Sequence, residues 1–240
     1  MSSLEPPELQ PIRVLLVCDL AIVAWGLERL VGERESGLEL AGSAASLADA
    51  RHLLDTQAPD VVLIDVDGDH GPDTVSELAA GHRAKVLALT GARDGATHED
   101  LMLAGASGVV HKSDAVATLL KAIHRVHEGE LWANRAAIGR VFDRLSRRKA
   151  VPAPGPEHLK IAQLTRKERQ VVAQIARDAS ATSEEIAERL HISRHTLRNH
   201  LTTIYGKLEV SGRLALFVYA HRHGLAEAEP APPEGHRRAG

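Results

Sequence analysis

The chain has 240 residues, 44% apolar and 25% charged, with a formal net charge of −3, which is the balance of a globular protein in water. A single cysteine, Cys18, excludes a disulfide framework and cysteine-based zinc modules. No apolar run reaches the ~18–20 residues of a membrane helix, and the N-terminus lacks a secretory pattern, so a cytoplasmic protein without membrane contact is expected.

Residues 1–11 (MSSLEPPELQP) read as a disordered tail. From Ile12 the pattern changes to four short apolar, β-branched runs: IRVLLV (Ile12–Val17), VVLID (Val61–Asp65), KVLALT (Lys85–Thr90) and GVVH (Gly108–His111). LELAG (Leu38–Gly42) is a weaker fifth. Continuous apolar runs suit parallel strands buried on both faces. Helical patterns separate them at Leu20–Glu33, Ser46–Thr56, Thr74–Ala80, Thr97–Leu103 and Asp114–His127. Five strand–helix units over residues 12–130 predict a doubly wound α/β domain with a parallel sheet.

Function in such sheets collects at the carboxyl ends of the strands. Asp19 follows the first strand, Asp65 ends the third, Thr90 ends the fourth and Lys112 follows the fifth. Two carboxylates can share a divalent cation, a hydroxyl can bond a phosphoryl oxygen, and an ammonium can offset its charge. That set suits phosphoryl transfer to a carboxylate, where positioning and charge neutralisation do most of the catalysis.

Charge divides the chain. Ile12 to Glu130 holds 10 Lys and Arg against 19 Asp and Glu, a balance of −9. Leu131 to Lys160 is +5 and Ile161 to Leu225 is +4, so the second half is the candidate for a polyanionic partner. Residues 131–163 read as a linker: a basic helix over Asn134–Lys149, then the Pro-rich KAVPAPGPEH, which cannot continue a helix.

Residues 164–225 are predicted to be all-helical. Thr165 with Glu168, and Thr182 with Glu185, are capping boxes that open two amphipathic helices. After the short turn HIS, Ser193 caps a third helix that buries Leu197, Leu201, Ile204 and Leu208. Its outward face carries Arg194, His195, Arg198, Asn199 and Thr202, and no Asp or Glu occurs from Arg189 through Leu208. Arg reads guanine, Asn reads adenine, and hydroxyls meet phosphates or base edges. A short turn before such a helix is the geometry that presents it to a major groove. Residues 226–240 read as a second disordered tail.

Two family resemblances follow from these residues. Ile12 to about Glu130 resembles the flavodoxin-like receiver domain of bacterial two-component response regulators, through VCDLAIVAWGLERLV, APDVVLIDV, VLALT and GVVHK. The resemblance implies Asp65 as phospho-acceptor and Thr90 and Lys112 as switch residues. It also implies Mg²⁺ held by Asp19, Asp65 and the Asp67 backbone carbonyl, with a sensor histidine kinase as donor. Cys18 replaces the first acid of the family's pair, a poor exchange for an ion that demands hard oxygen ligands. VDGDHGPD replaces the usual Met-Pro-Gly, and Val109 replaces an aromatic.

Leu164 to about Leu225 resembles the LuxR-type (NarL/FixJ) DNA-binding domain, through LTRKERQVV and EEIAERLHISRHTLRNHLTTIYGKLEV. It implies that Arg198, Asn199 and Thr202 face bases, with Thr196, His200 and Lys207 contacting or positioning the backbone. SGRLALFVYAHRHGL is then a fourth, dimerising helix. The expectation is a transcription factor, not an enzyme, which binds a near-palindromic duplex as a homodimer under control of Asp65 phosphorylation. The competing expectation is a degenerate receiver that binds DNA without phosphorylation or answers a ligand or protein partner.

Overall fold

The computed structural model describes residues 10–80, 82–133, 137–141, 144, 157–178 and 180–227. The two tails and most of the linker (residues 134–136, 142–143 and 145–156) lie outside the described residues; of the expected linker helix, residues 137–141 and 144 are helical.

The first half is a five-stranded parallel sheet of order β2-β1-β3-β4-β5, with β1 Ile12–Val17, β2 Leu38–Ala44, β3 Val61–Asp65, β4 Lys85–Thr90 and β5 Gly108–His111. Helices α1 (Ala21–Val31), α2 (Leu47–Gln57), α3 (Pro72–Ala79), α4 (Gly95–Leu103) and α5 (Val116–His127) alternate with the strands. Strand side chains alternate between the two faces. Val14, Leu16, Leu63, Leu87 and Leu89 therefore join α1 and α5 residues such as Val31 and Ile123. Leu15, Val17, Val62, Ile64 and Val86 join α2, α3 and α4 residues such as Leu54, Leu78 and Leu101. Burial on both faces explains the unbroken apolar runs.

The second half is helical: α6 (Glu157–Ala162), α7 (Arg166–Arg177), α8 (Ser183–Leu190), α9 (Arg194–Leu208) and α10 (Arg213–Arg222). Both capping boxes form, with Thr165 and Thr182 each accepting from the backbone of the Glu that bonds back. Ser193 caps α9 by accepting from Thr196 N. The buried stripe Val171, Val172, Ile175, Ile186, Leu197, Leu201, Ile204 and Leu208 forms one core, which Ile161 of α6 extends. His191 closes α8 at φ 52°, a left-handed position that glycine more often takes. That single residue turns the chain from α8 into α9.

The halves are packed together. Leu214 of α10 lies in a cluster with Met102 of α4, Ile138 and Val141. Further contacts run between α9 and the amino end of the sheet.

Candidate functional site

Asp65, Thr90 and Lys112 do converge at the carboxyl end of the sheet. Parallel pairing sets Asp65 opposite Leu89 and Thr90 opposite His111, which brings three strand ends level. The Asp65 side chain is fully buried and its Oδ1 accepts from Lys112 Nζ at 2.7 Å. The same ammonium reaches Asp67 Oδ2 at 2.9 Å. Asp67 also accepts from Thr90 Oγ1 at 2.6 Å and from Gly91 N at 2.5 Å. Burial works against both charged forms, but the bonds win: the Thr90 hydroxyl and then Lys112 hold Asp67 below its ordinary range, and Asp65 and Asp67 hold Lys112 above its own.

Cys18 Sγ stands 3.7 Å from Asp65 Oδ2, and burial pushes its thiol up, away from the metal-binding thiolate. Asp19 Oδ2 accepts from Asp69 N at 3.1 Å, and that bond first among several holds its carboxyl low. Gly68 lies so close over this carboxylate that an added Cβ would collide with it. Asp19 Oδ1 is buried without a partner, so one hard oxygen is available. Lys112 takes Asp65 Oδ1 and the Asp67 side chain, and Asp65 Oδ2 faces the neutral Cys18 thiol. Among the described residues no three His, Cys, Asp or Glu side chains form a metal cluster. Asp19 and Asp65 would supply a divalent cation with hard carboxylate oxygens here, and the neutral Cys18 thiol would supply none.

The candidate DNA-reading residues lie on α9, and one edge of that helix faces the α/β half. Arg194, His195, Asn199 and Thr202 are exposed, while Thr196, Arg198, His200 and Lys207 are half-buried. Arg198 hydrogen-bonds His127 at the end of α5. Lys207 turns inward, donating to Glu168 Oε2 at 2.7 Å and to Gln163 O at 3.1 Å. Beside Arg198 an interdomain cavity of about 480 Å³ is lined by Asp60, Lys85, His127, Thr202 and Gly206 among others. Lys85 Nζ donates to Ser211 O at 2.9 Å and lies 4.3 Å over the Tyr205 ring; burial pushes it down to about 8.

Glu130 ties the halves together through its carboxylate. Its carboxylate accepts from Ser183 N, at the start of α8, at 2.9 Å and from Arg125 Nη1 at 3.1 Å. Neither Glu130, His127 nor Lys85 stands out in the sequence. Each is an ordinary polar residue until its distant partner is known. For Asp67 the resemblance implied a role for the backbone carbonyl; its side chain is engaged as well, by Thr90, Gly91 and Lys112.

His127 carries a pH dependence. Burial first, and the Arg198 charge second, push it down to about 4, against the pull of Asp60. Separated halves would restore a value near ~6.5. The packed form then binds fewer protons, so its stability holds above about pH 6.5 and declines as pH falls toward about 4. Between pH 7.5 and 5.5 the DNA affinity of the full chain is expected to rise about severalfold more than that of His127→Gln, measured by fluorescence anisotropy. Parallel pH profiles would show that His127 does not carry the dependence.

The family model for the response regulator receiver domain matches residues 14–124, and that for bacterial regulatory proteins of the luxR family matches residues 162–220. The transcriptional regulatory protein LiaR of Bacillus subtilis (strain 168) is 30% identical over 217 residues, covering 89% of this chain and 99% of LiaR. The response regulator UvrY of Escherichia coli (strain K12) is 29% identical over 223 residues, covering 91% and 97%. A crystal structure of a LuxR-family two-component response regulator from Aurantimonas sp. SI85-9A1 is 28% identical with a TM-score of 0.48, covering 56% of this chain and 97% of that one.

Proposed function

The chain belongs to the LuxR-family response regulators, and from that premise we propose that its receiver holds the DNA-reading helix α9 in check until a signal at Asp65 releases it. The observation that carries this reading is the Arg198–His127 contact, which ties a base-reading side chain to the receiver. Asp65 is the phospho-acceptor, Thr90 and Lys112 register the new charge, and a sensor histidine kinase is the donor.

Lys85 and Thr90 begin and end β4, about 17 Å apart at ~3.3 Å per residue. The signal therefore has to travel from one end of the sheet to the other. Helix α4 offers a route. Its N-cap Asp94 follows the Thr90–Gly91 turn, and its Met102 packs with Leu214 of α10. A shift at Thr90 that moves α4 would loosen Leu214 and, with it, α9.

Once free, Arg194, His195, Thr196, Arg198, Asn199, His200 and Thr202 lie along the major groove. Lys207 positions the helix through Glu168. Helix α10, with Leu214 uncovered, pairs two copies on a near-palindromic site. The regulator acts in the cytoplasm and is not an enzyme; among the described residues no helix is long and apolar enough to cross a membrane. Cys18 and the engaged Asp67 favour a second reading, in which a ligand or protein partner rather than phosphate opens the chain.

Selection of bound duplexes from a random pool tests the assigned face. Arg198→Ala should lose preference at one base pair, worth about 1–3 kcal/mol of discrimination, while binding elsewhere in the site is kept. An unchanged site preference would refute the assignment.

A further inference from the structure

We propose that the Asp67 carboxylate is an intramolecular surrogate for the phosphoryl group, seated in the anion subsite made by Thr90, Gly91 and Lys112, and that it must leave before Asp65 is phosphorylated. The proposal rests on the reading of Asp65 as acceptor and adds a gate to it.

Three donors converge on this one side chain: the Thr90 hydroxyl at 2.6 Å, the Gly91 amide at 2.5 Å and the Lys112 ammonium at 2.9 Å. A hydroxyl, a backbone N–H and an ammonium are the kinds of group that satisfy the oxygens of a phosphoryl group. Two of them, Thr90 and Lys112, are the residues the phosphorylated state needs. The chain supplies their anion itself.

The arrangement is built, not incidental to a free loop. Asp67 N donates to Asp65 Oδ1 at 3.1 Å, which fixes the backbone beside the acceptor. Gly68 then packs on Asp19 with no room for a Cβ. Gly91 also makes the approach possible, since a Cβ there would stand 3.1 Å from Asp67 Oδ2. Charge points the same way. One ammonium already faces two carboxylates, so a phosphoryl group arriving beside Asp67 would add negative charge that this single cation must share. Displacing Asp67 returns Thr90, Gly91 and Lys112 to the newcomer.

Wild type, Asp67→Ala and the double variant Asp65→Asn with Asp67→Ala are incubated as full chains with acetyl phosphate and Mg²⁺ and followed by intact mass. In the reaction an Asp65 carboxylate oxygen attacks phosphorus, the bond from phosphorus to the acetate oxygen breaks, and acetate leaves, for a gain of about 80 Da. Asp67→Ala is expected to form the adduct on the order of tenfold faster than wild type, the effect of removing a competing charge-assisted set of bonds. The double variant should form none.

A rate in Asp67→Ala equal to or below wild type overturns the surrogate and leaves Asp65 as acceptor. An adduct that persists in the double variant overturns the acceptor reading and the gate together. If neither chain reacts, beryllofluoride with Mg²⁺ decides by thermal shift. Stabilisation of Asp67→Ala alone upholds the surrogate, and with it Asp65 as acceptor, and shows that acetyl phosphate is not its donor. Equal shifts, or none, overturn the surrogate. Asp67→Ser serves in the same assays if the alanine variant does not fold.

Discussion

Replacing Glu130 with alanine is expected to raise the affinity of the full chain for duplex DNA by about tenfold or more. Glu130 belongs to the receiver side and touches no residue of the proposed DNA face, so the intrinsic affinity of α9 is unaltered. What changes is the fraction of chains in which α9 is free. The carboxylate accepts from Ser183 N across the interface and is nearly buried, at 9% side-chain exposure. Ser183 is the first residue of α8, where unsatisfied N–H groups and the helix dipole favour an anion.

A hydrogen bond to a charged group contributes about 1.5–3 kcal/mol, and a competent fraction multiplied by ten lowers the apparent Kd by the same factor. Electrophoretic mobility shift of wild type and Glu130→Ala on one duplex reads the effect. Unchanged affinity would mean that the packed arrangement does not limit DNA binding, and the proposed restraint would fail.

Lys112→Ala is expected to destabilise the receiver by about 3 kcal/mol, because it leaves two facing carboxylates without their cation. Asp65 has no exposed side-chain surface, so it cannot recover the loss through water. The loss lies at the low end of the range for broken buried pairs because Lys112 keeps 25% of its side chain exposed. The urea midpoint should fall accordingly, and adding Asp65→Asn should restore part of the loss.

The pH profile supplies a further check on the same variant. Asp67, held below its ordinary range, contributes stability that is present above the unfolded carboxylate value and lost as pH falls through its folded one. Lys112, held above its range, contributes stability present below the ordinary lysine value and lost as pH rises through its folded one. Between these limits the two groups add no pH dependence of their own. Lys112→Ala should weaken the acid-side dependence carried by Asp67, the Thr90 and Gly91 bonds keeping the rest. A variant as stable as wild type with an unaltered profile would show that the two ion pairs are not formed in solution.

Much of the architecture was legible because its causes are local. Apolar runs such as VVLID and KVLALT mark strands that are buried on both faces. The Thr-x-x-Glu boxes at Thr165 and Thr182 start helices where the orphan N–H groups need partners. The convergence of Asp65, Thr90 and Lys112 followed from position alone, since parallel strands in a doubly wound sheet deliver their ends to one rim. The Mg²⁺ expectation was carried by resemblance. The placement of Lys112 against both Asp65 and Asp67 is specified by no periodicity.

The amino-acid sequence by itself determined two domains of opposite charge, the strand and helix order of each, and which residue types stand at the receiver rim and on α9. Those follow from propensity, capping and hydrophobic period, all of which act over a few residues. Only the tertiary structure decided that Glu130 meets Ser183, that Arg198 meets His127, and that the Asp67 side chain turns toward Thr90 and Gly91. These are contacts between groups 23 to 71 residues apart, chosen by packing and by the cost of leaving buried polar atoms unpaired. Neither cause leaves a local trace, because an exposed carboxylate and an engaged one are spelled with the same residue.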